Sequence, residues 1–459
     1  MQVALVFAEA EMHKDTVKER IEKHPCYCKD AHDKFARIHL PVAPACNIQC
    51  NYCNRKYDCS NESRPGVTSG VLSPEQALEK VIMVKQSLEN LSVIGIAGPG
   101  DALANPSATF QTLRLMKAYN NEFIPCISTN GLNLPDHIDE IVELGISHVT
   151  VTISAVDPEI GQKIYSWIHY EGVTYQGVEA AKILLERQLK GIKMLVDKGV
   201  LVKINSVLIP GINDLHISEV AKKIKELGVF IHNIIPLMSK PEYGTKFAKE
   251  GVPEPDIKMI AKARFECAEI MGGFDSVMQH CRQCRADAIG KLGEEFDINS
   301  LSDEVIENSA TVKSQVMSIS RSLASESVTK NSSRASRNKM ILVAVATENK
   351  YMSDVTFKNA RTFYVYEVSG WGAHLREIRT LKYEDSEACI KLSGHLKNVL
   401  ELLSDCSVVV CSVAGKSAVK EMRRRGVIID TTGGYKLLED AAWSVGIKRL
   451  NDSISKVTA

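Results

Sequence analysis

The amino-acid sequence predicts an α/β protein of two domains, a larger partial TIM barrel of (β/α)6 type and a smaller α/β domain. Three observations predict this fold class. Short apolar runs alternate with helical patterns up to Met271, a stretch rich in Ser, Asn and Lys follows, and the alternation resumes after residue 339. A strand followed by a helix at this spacing is typical of parallel βα units. Six such units suit an open barrel better than a closed one of eight strands.

The larger domain is predicted to contain six strands. They cover Arg37–Val42, Val93–Gly98, Ile124–Thr129, His148–Ser154, Leu201–Ile209 and Phe230–Leu237. The helices are predicted at Ser73–Leu88, Pro106–Tyr119, Pro135–Leu144, Tyr175–Lys198, Asp214–Leu227 and Pro255–Met271. The first helix has the clearest start, because Ser73 is a favoured N-cap residue and Pro74 fits the first helical position. Functional residues are expected at the C-terminal ends of the strands.

The stretch from Asp303 to Asn338 is predicted to be a linker. Its Ser-, Asn- and Lys-rich composition offers too little apolar surface to offset the entropy of ordering it. The predicted boundaries are therefore 1–295 for the larger domain, 296–338 for the Ser-rich linker and 339–459 for the smaller domain. The smaller domain contains Cys389, Cys406 and Cys411. Cys406 and Cys411 lie in a run that suggests a buried strand, so they are predicted to be core thiols, since free cysteine is often buried.

Composition narrows the class of protein. The 459 residues suit two or three domains, and 56 basic residues against 56 acidic ones give no net charge. That balance predicts no nucleic-acid partner and no attraction to an anionic membrane. The apolar start lacks a basic segment, and no run reaches the ~18–20 apolar residues of a membrane span, so a cytoplasmic protein is expected. In that compartment, thirteen cysteines favour metal or redox chemistry over disulfides.

The strongest chemical signal is a loop of three cysteines, Cys46, Cys50 and Cys53, directly after the first predicted strand. Thiolates hold four-iron clusters, and three thiolates leave one iron open. An open iron chelates S-adenosyl-L-methionine (SAM) and passes an electron into its sulfonium, which generates a carbon radical. The alternative is a zinc site, although structural zinc favours paired ligands and a closed set of four.

A second group of potential ligands exceeds what that loop needs. It comprises His24, Cys26, His39, Cys59, Glu62, Cys126, Cys281 and Cys284. Taken singly, His39 is predicted to be a core histidine and Cys126 a core thiol. Cys281 and Cys284 form a Cys-x2-Cys pair between two arginines, which favours a metal site.

Several segments resemble the SAM site of the radical-SAM superfamily. Tyr52, directly before the third cysteine, stands where the superfamily motif has an aromatic residue. The run from Gly98 to Asp101 resembles the glycine-rich turn whose backbone receives the SAM amino group. The ends of the next two strands are suited to the methionine carboxylate and the ribose. The resemblance therefore implies SAM binding by Gly98, Gly100, Asp101, Thr129, Asn130 and Ser154.

A longer pattern makes the resemblance specific. His24-Pro-Cys26, the run from His39 to Val67 and the run from Cys281 to Gly290 together resemble the NifB family. These are the radical-SAM proteins of nitrogenase iron-molybdenum cofactor biosynthesis. The resemblance covers roughly residues 20–295.

The resemblance implies a reaction in which two further 4Fe-4S clusters are substrates. They are fused into an eight-iron, carbide-centred precursor. One SAM donates a methyl group to a cluster sulfide, and the radical from a second SAM removes hydrogen from that group. A ninth sulfur is also added. By position, Cys46, Cys50 and Cys53 bind the SAM cluster, Cys126 is the expected catalytic residue, and the second group of ligands serves the substrate clusters. The implied partners are iron-sulfur cluster donors, an electron donor and a downstream cofactor carrier or scaffold.

The smaller domain resembles the NifX-type cofactor-binding module, which has a ribonuclease-H-like fold. Where that module commonly has His-Phe-Gly, this chain reads Thr356-Phe357-Lys358, so the expected cluster-binding histidine is missing. His374 and His395 are the candidates to replace it.

Two other functions stay open. One is a radical-SAM enzyme for another cofactor, such as molybdopterin, but the extra ligands do not form that family's C-terminal triplet. The other is a non-catalytic iron-sulfur scaffold or carrier. A carrier has no need of the complete Cys46, Cys50 and Cys53 loop with its glycine-rich turn.

Overall fold

The structure, a computed structural model, describes residues 21–296, 309–330 and 341–455, apart from 349, 351–352, 370–371, 382–391, 433 and 435–437. Cys389 lies outside the described residues. None of the described cysteines forms a disulfide. Within the same residues, no helix has the length and apolar character that a membrane span requires.

The larger domain is built on an eight-stranded sheet. Its strands are β1 (Ala36–His39), β3 (Leu91–Ile96), β4 (Ile124–Thr129), β5 (His148–Thr152), β8 (Leu201–Leu208), β9 (Ile231–Pro236), β10 (Ile289–Lys291) and β11 (Glu294–Glu295), while β2 (Ile48–Cys50), β6 (Tyr165–Tyr170) and β7 (Val173–Tyr175) form a small separate sheet. The order across the large sheet is β11-β10-β1-β3-β4-β5-β8-β9. Six neighbouring strands, β1 to β9 in this order, are parallel. The predicted fold class, a partial (β/α)6 barrel, is confirmed.

Helices cover the outer face of this sheet. They are α1 (Pro74–Ser87), α2 (Pro106–Tyr119), α3 (Ile138–Glu143), α4 (Pro158–Ile164), α5 (Gly177–Asp197), α6 (Ile217–Glu226), α7 (Lys246–Lys249) and α8 (Ile257–Met271). The predicted start of α1 is confirmed, because Ser73 and Gln76 form a reciprocal capping box and Pro74 is the first helical residue. The hairpin of β6 and β7 was not predicted. It lies between two predicted elements, and its two short strands have no alternating pattern.

The two faces of the parallel strands differ in polarity. Ile38, Ile94, Ile127 and Val149 point outward and join the apolar core beneath the helices. The residues between them point inward, since side chains alternate along a strand. Register aligns His39, Gly95, Cys126 and His148 in one inward row. Ser128, Thr150 and Lys203 form the next row. The barrel interior is therefore polar and contains potential ligands.

The linker prediction is wrong for one segment. Helix α9 (Ser309–Lys330) packs against α1 and α2. Val312 and Val316 are only 4% and 1% exposed, and Ile319 and Leu323 pack beside them on the core. These four residues follow one another at spacings of four, three and four, which places them on one helical face. Composition alone missed this stripe, because it counts the serines without their positions.

The smaller domain contains one five-stranded sheet. Its strands are β12 (Ile341–Thr347), β13 (Thr362–Ser369), β14 (Gly372–Thr380), β15 (Val408–Val410) and β16 (Ile428–Asp430), in the order β14-β13-β12-β15-β16. Its helices are α10 (Leu392–Leu402), α11 (Lys416–Arg424) and α12 (Leu438–Ser455). Each face of the sheet packs on its own apolar core. Cys406 and Cys411 lie buried in the first of these cores, which confirms that they are core thiols.

Candidate active site

The cysteine loop spans β2, with Cys46 before this strand, Cys50 as its last residue and Cys53 after it. Cys46, Cys50 and Cys53 are all partly buried. The amide of Cys53 donates to the carbonyl of Cys50 at 3.0 Å, which closes a tight turn. The side chain of Gln49 donates to the carbonyls of Cys50 and Cys53, each at 2.9 Å. Gln49 therefore fixes the backbone that carries the last two cysteines.

The partly buried guanidinium of Arg55 accompanies the three thiols. Burial raises the pKa of Cys46 to about 11, and it raises the pKa values of Cys50 and Cys53 as well. Arg55 acts in the opposite direction on all three. The three thiols in turn raise the pKa of Arg55 against the effect of its own burial.

These residues fit a four-iron cluster held by three thiolates. Thiols must lose their protons when a metal binds, and the positive charge of Arg55 offsets part of the negative charge that results. Among the described residues, no three His, Cys, Asp or Glu side chains converge on a point where a single metal ion fits.

The glycine-rich turn after β3 packs against the segment that leads into the cysteine loop. Gly98 has a φ of +135°, a conformation that L side chains rarely adopt. A Cβ atom on Gly100 would lie 2.0 Å from the carbonyl oxygen of Ala45. The amide of Gly100 donates to Ala43 at 2.6 Å, and that of Asp101 donates to Ala45 at 2.8 Å. Both amides are therefore engaged within the protein, and the turn positions the residue next to Cys46.

Asp101 connects the turn to the end of β4. Its buried carboxylate accepts hydrogen bonds from the amides of Leu103 at 2.9 Å and Ala104 at 3.1 Å. It also accepts from the hydroxyl of Thr129 at 3.0 Å and from the amide of Asn130. Burial raises the pKa of Asp101, although these hydrogen bonds act against the rise. The structure thus shows Asp101 and Thr129 in contact with each other.

Asn130 connects β4 to the cysteine loop. Its side-chain nitrogen donates to Asn47 Oδ1 at 2.7 Å and lies 3.8 Å from Cys46 Sγ. Ser154, at the end of β5, lies farther along the same sheet edge and accepts a hydrogen bond from the amide of Val207 at 3.1 Å. The structure therefore brings together the turn, Thr129, Asn130 and Cys46. Their binding of SAM stays a prediction.

Three of the second group of ligands meet in one small cluster. Cys26, Cys281 and Cys284 pack around an apolar group formed by Tyr27, Ile231, Met278 and Leu292. Arg37 Nη2 donates to Cys284 Sγ at 3.2 Å. Burial raises the pKa of Cys26, and the neighbouring charges of Lys203 and Arg37 act against this rise. We call these three cysteines the Cys26 cluster.

Three other members of the second group of ligands lie around Arg285. The guanidinium of Arg285 donates to the carbonyls of Cys59, at 2.7 Å, and Glu62. The backbone carbonyl of Arg285 lies 3.0 Å from His39 Nδ1. Burial lowers the pKa of His39 to about 4, so its ring is neutral, which is the metal-binding form. We call His39, Cys59 and Glu62 the His39 group.

The carboxylate of Glu62 is already engaged. It forms ion pairs with Lys56 and with Arg64, the latter at 2.7 Å from Arg64 Nε. These two cations lower the pKa of Glu62 against the opposing effect of burial. The carboxylate is therefore ionised, and it has to exchange a partner to bind iron.

Cys126 and His24 lie between these two groups. Cys126 is adjacent to His148 across the sheet, and the His148 ring lies 4.5 Å from that of His24. Burial raises the pKa of Cys126 to about 12, against the effect of Lys203. His24 is buried and its Nδ1 accepts from the amide of Cys26 at 3.2 Å. Its Nε2 has no hydrogen-bond partner among the described residues.

Sequence reasoning missed four polar residues of the interior. They are Arg37, Arg55, His148 and Lys203. One signal was available, because Lys203 stands between Val202 and Ile204 in a strand that pairs in parallel with β5 on one side and β9 on the other. Strands of parallel sheets are usually near-continuous apolar runs, so a charged residue in one of them marks a special environment.

In the smaller domain, the His-Phe-Gly position is occupied by Thr356, Phe357 and Lys358, with Phe357 buried. His395 Nε2 lies 2.8 Å from the carbonyl oxygen of Phe357, and His395 Nδ1 lies 3.4 Å from the guanidinium of Arg361. Both ring nitrogens of His395 thus contact the protein. The side chain of His374 lies outside the described part of the chain.

Comparison with known families identifies both domains. Residues 40–224 match the model described as Radical SAM superfamily. Residues 339–443 match the model described as Dinitrogenase iron-molybdenum cofactor.

Full-length relatives share more than either model. The chain is 44% identical over 434 residues to FeMo cofactor biosynthesis protein NifB of Klebsiella pneumoniae, which covers 93% of this chain and 91% of that protein. It is 40% identical over 451 residues to the protein of the same name from Azotobacter vinelandii, which covers 94% and 89%. Among solved structures, methylornithine synthase (PylB) is similar with a TM-score of 0.37 and 13% identity, over 64% of this chain and 86% of that one.

Proposed function

The chain belongs to the NifB family of FeMo cofactor biosynthesis proteins, and we propose that it is a synthase of the nitrogenase cofactor precursor. In the proposed reaction two 4Fe-4S clusters are fused, a carbide from SAM is inserted and one further sulfur is added, which gives an eight-iron, nine-sulfur product. One observation carries the proposal. The cysteine loop lies at the strand ends, and a separate set of potential ligands lies inside the barrel of the same sheet. Radical generation and cluster assembly can therefore occur at two separate sites.

We assign the resident cluster to Cys46, Cys50 and Cys53. When bound there, a 4Fe-4S cluster supplies the electron that cleaves SAM. The protein's part is to hold the loop through Gln49 and to offset negative charge through Arg55.

We assign SAM to the adjoining strand ends, with Gly98, Gly100, Asp101, Thr129, Asn130 and Ser154 as its proposed site. Gly100 and Asp101 hold the turn in place, since their amides donate hydrogen bonds to the carbonyls of Ala43 and Ala45. Asn130 is the member that reaches the cysteine loop, because its side-chain nitrogen lies beside Cys46. The SAM methionine is thereby expected next to the open iron.

We divide the second group of ligands between the two substrate clusters. The Cys26 cluster holds one, because its three sulfurs share one apolar environment with the Arg37 guanidinium. The His39 group holds the other, because Arg285 draws its three members together. Cys126 and His24 lie between the two, and we propose Cys126 as the catalytic residue at the place where the clusters meet.

The mixed ligand set supports release of the product. A sulfur that accepts a hydrogen bond donates less strongly to a metal, and Arg37 provides such a bond to Cys284. Glu62 has Lys56 and Arg64 as alternative partners. Ligands that exchange in this way hold a substrate during assembly without retaining the product.

We assign residues 1–295 to catalysis and 339–459 to contact with the cofactor or its downstream carrier. The match of residues 339–443 to the Dinitrogenase iron-molybdenum cofactor model supports the second assignment. Iron-sulfur cluster donors and an electron donor complete the proposed partners, because the reaction consumes both clusters and electrons.

Iron counting tests this function against a carrier role. After anaerobic reconstitution with iron and sulfide, about twelve irons per chain are expected, the sum of three four-iron clusters. Under reductant, SAM should yield both S-adenosylhomocysteine and 5′-deoxyadenosine. A chain with about four irons that forms only 5′-deoxyadenosine contradicts the proposal, and a chain that leaves SAM intact supports the carrier role instead.

A further inference from the structure

A lysine lies inside the barrel, where neither the SAM site nor a metal ligand accounts for it. Lys203 is on β8 and is 7% exposed. Register aligns it with Thr150 on one side and Ile231 on the other, so its side chain starts from the inward face. Its neighbours Val202 and Ile204 point outward into the core.

Lys203 contacts the surroundings of both ligand groups. Its Nζ atom lies 5.3 Å from the centre of the Tyr27 ring, and Tyr27 packs directly on the Cys26 cluster. Its charge also acts on Cys126, on the inward row next to its own, and on His39. The ammonium group therefore lies beside the Cys26 cluster, and its charge acts on members of both ligand groups.

Within the described part of the chain, no ion pair balances the ammonium group of Lys203. Asp287, an acid whose charge acts on His39, is instead paired with Arg285 at 2.9 Å. A buried charge without a partner is destabilising, so the interior favours an anionic ligand.

We propose that Lys203 is a substrate-binding residue whose ammonium group donates a hydrogen bond to a sulfide of the anionic iron-sulfur cluster at the point where the two substrate clusters meet. The inference rests on the proposed function and adds a residue to it. A cluster held by thiolates and bridged by sulfides carries negative charge and offers acceptor atoms on every face. Lys203 thereby stabilises the fused cluster more than either separate one, since its charge acts on Cys26 in one group and on His39 in the other.

This role predicts effects of opposite sign in the empty and the loaded protein. Lys203→Met keeps the length of the side chain and removes its charge. In the iron-free chain the change removes an unbalanced buried charge, so the melting temperature is expected to stay the same or to rise by about 2–4 °C. In the loaded chain it removes the partner of the cluster, so cluster retention is expected to fall.

The experiment compares Lys203→Met with Lys203→Arg, which keeps the charge, and with Lys222→Met, an exposed lysine paired with Glu219 at 2.7 Å. Each full-length chain is reconstituted anaerobically with iron and sulfide, and iron per chain is followed over time after desalting. The electron paramagnetic resonance signal of the cluster at Cys46, Cys50 and Cys53 serves as an internal reference. Lys203→Met should lose substrate-cluster iron about tenfold faster or more, while Lys203→Arg and Lys222→Met stay within about threefold of the unsubstituted chain.

Three results separate the possibilities. Equal iron retention in Lys203→Met and the unsubstituted chain overturns the role of Lys203. A melting temperature that falls as far in the iron-free as in the loaded protein also overturns it, because Lys203 then only supports Tyr27. If the unsubstituted chain itself holds about four irons, the proposed function fails as well, which distinguishes that failure from failure of this inference.

Discussion

Gly100 lies so close to Ala45 that a Cβ atom on residue 100 would meet the Ala45 carbonyl oxygen at 2.0 Å. This contact joins the turn after β3 to the backbone that leads into Cys46. The amide of Gly100 reinforces it with a hydrogen bond to Ala43 at 2.6 Å. The position of the cysteine loop thus depends on the absence of a side chain at residue 100.

Gly100→Ala should therefore displace the cysteine loop. Because the clash is with backbone, it cannot be relieved by a rotamer change, and a loss of about 1–3 kcal/mol in the free energy of unfolding is expected. The iron of the resident cluster and the rate of SAM cleavage should fall together. Urea unfolding of the iron-free chain and iron analysis provide the measurements.

Gly70→Ala is the matched control for Gly100→Ala in the same domain. A Cβ atom there would have Asp58 Oδ1 as its nearest neighbour, at an ordinary contact distance of 3.9 Å, and the residue is outside the left-handed region. Its unfolding free energy should stay within about 0.5 kcal/mol of the unsubstituted value. Equal effects of the two substitutions would show that the contact between Gly100 and Ala45 does not position the loop.

Cys46→Ala and Cys281→Ala should separate two activities. Cys46 belongs to the loop of the resident cluster, so its loss should abolish SAM cleavage. Cys281 belongs to the Cys26 cluster inside the barrel, so its loss should spare much of SAM cleavage and stop precursor formation. Product analysis for 5′-deoxyadenosine and for the extracted cluster measures both. Equal loss of both activities in the two variants would argue against separate sites.

Asp101→Asn should weaken SAM binding through Thr129 and Asn130. The carboxylate accepts four hydrogen bonds, and an amide nitrogen in its place faces donors instead. One buried donor left unsatisfied costs about 1–3 kcal/mol, which predicts a KM for SAM about tenfold higher or more. As a control, Asp214→Asn changes a half-buried carboxylate that accepts one hydrogen bond, from the amide of Gly211 at 2.9 Å. An equal KM for SAM in the two variants would show that Asp101 does not contribute to SAM binding.

Acid stability should depend on His232. This ring is fully buried, and burial lowers its pKa from 6.5 to about 3. Between these two values the unfolded chain binds a proton that the folded chain does not, so stability falls as pH decreases below about 6.5. The slope from this one residue approaches about 1.4 kcal/mol per pH unit. The stability of His232→Asn should depend less steeply on pH. Urea unfolding at several pH values from about 4.5 to about 7.5 measures this slope. An unchanged slope would contradict this assignment.

Local patterns in the sequence predict much of this architecture. The parallel strands follow from apolar runs that alternate with helical patterns, and α1 begins where Ser73 and Pro74 predict it. The cysteine loop is also local, because three ligands within eight residues need only one turn to meet. Helix α9 is the exception, since its apolar stripe is spread among serines.

Local sequence patterns do not predict which residues meet inside the barrel, because these contacts depend on long-range strand pairing. Cys26 and Cys281 are far apart in the chain, and they meet because β10 pairs antiparallel with β1 and brings Gly290 opposite Arg37. Likewise, only the register of five strands places Lys203 beside Cys126 and Tyr27. A sequence names the candidate ligands by residue type, whereas the division of these ligands between two groups requires the folded sheet.

The most direct test of the account follows the carbon of SAM. The full-length chain, reconstituted with iron and sulfide, is incubated under reductant with SAM that carries ¹³C in its methyl group, and the cluster product is extracted and examined for ¹³C bound to iron by electron-nuclear double resonance. The unsubstituted chain is expected to yield an eight-iron cluster that contains labelled carbon. The cluster fraction of Cys281→Ala is expected to contain no label. Loss of all label from the cluster fraction, with SAM still cleaved, would contradict it.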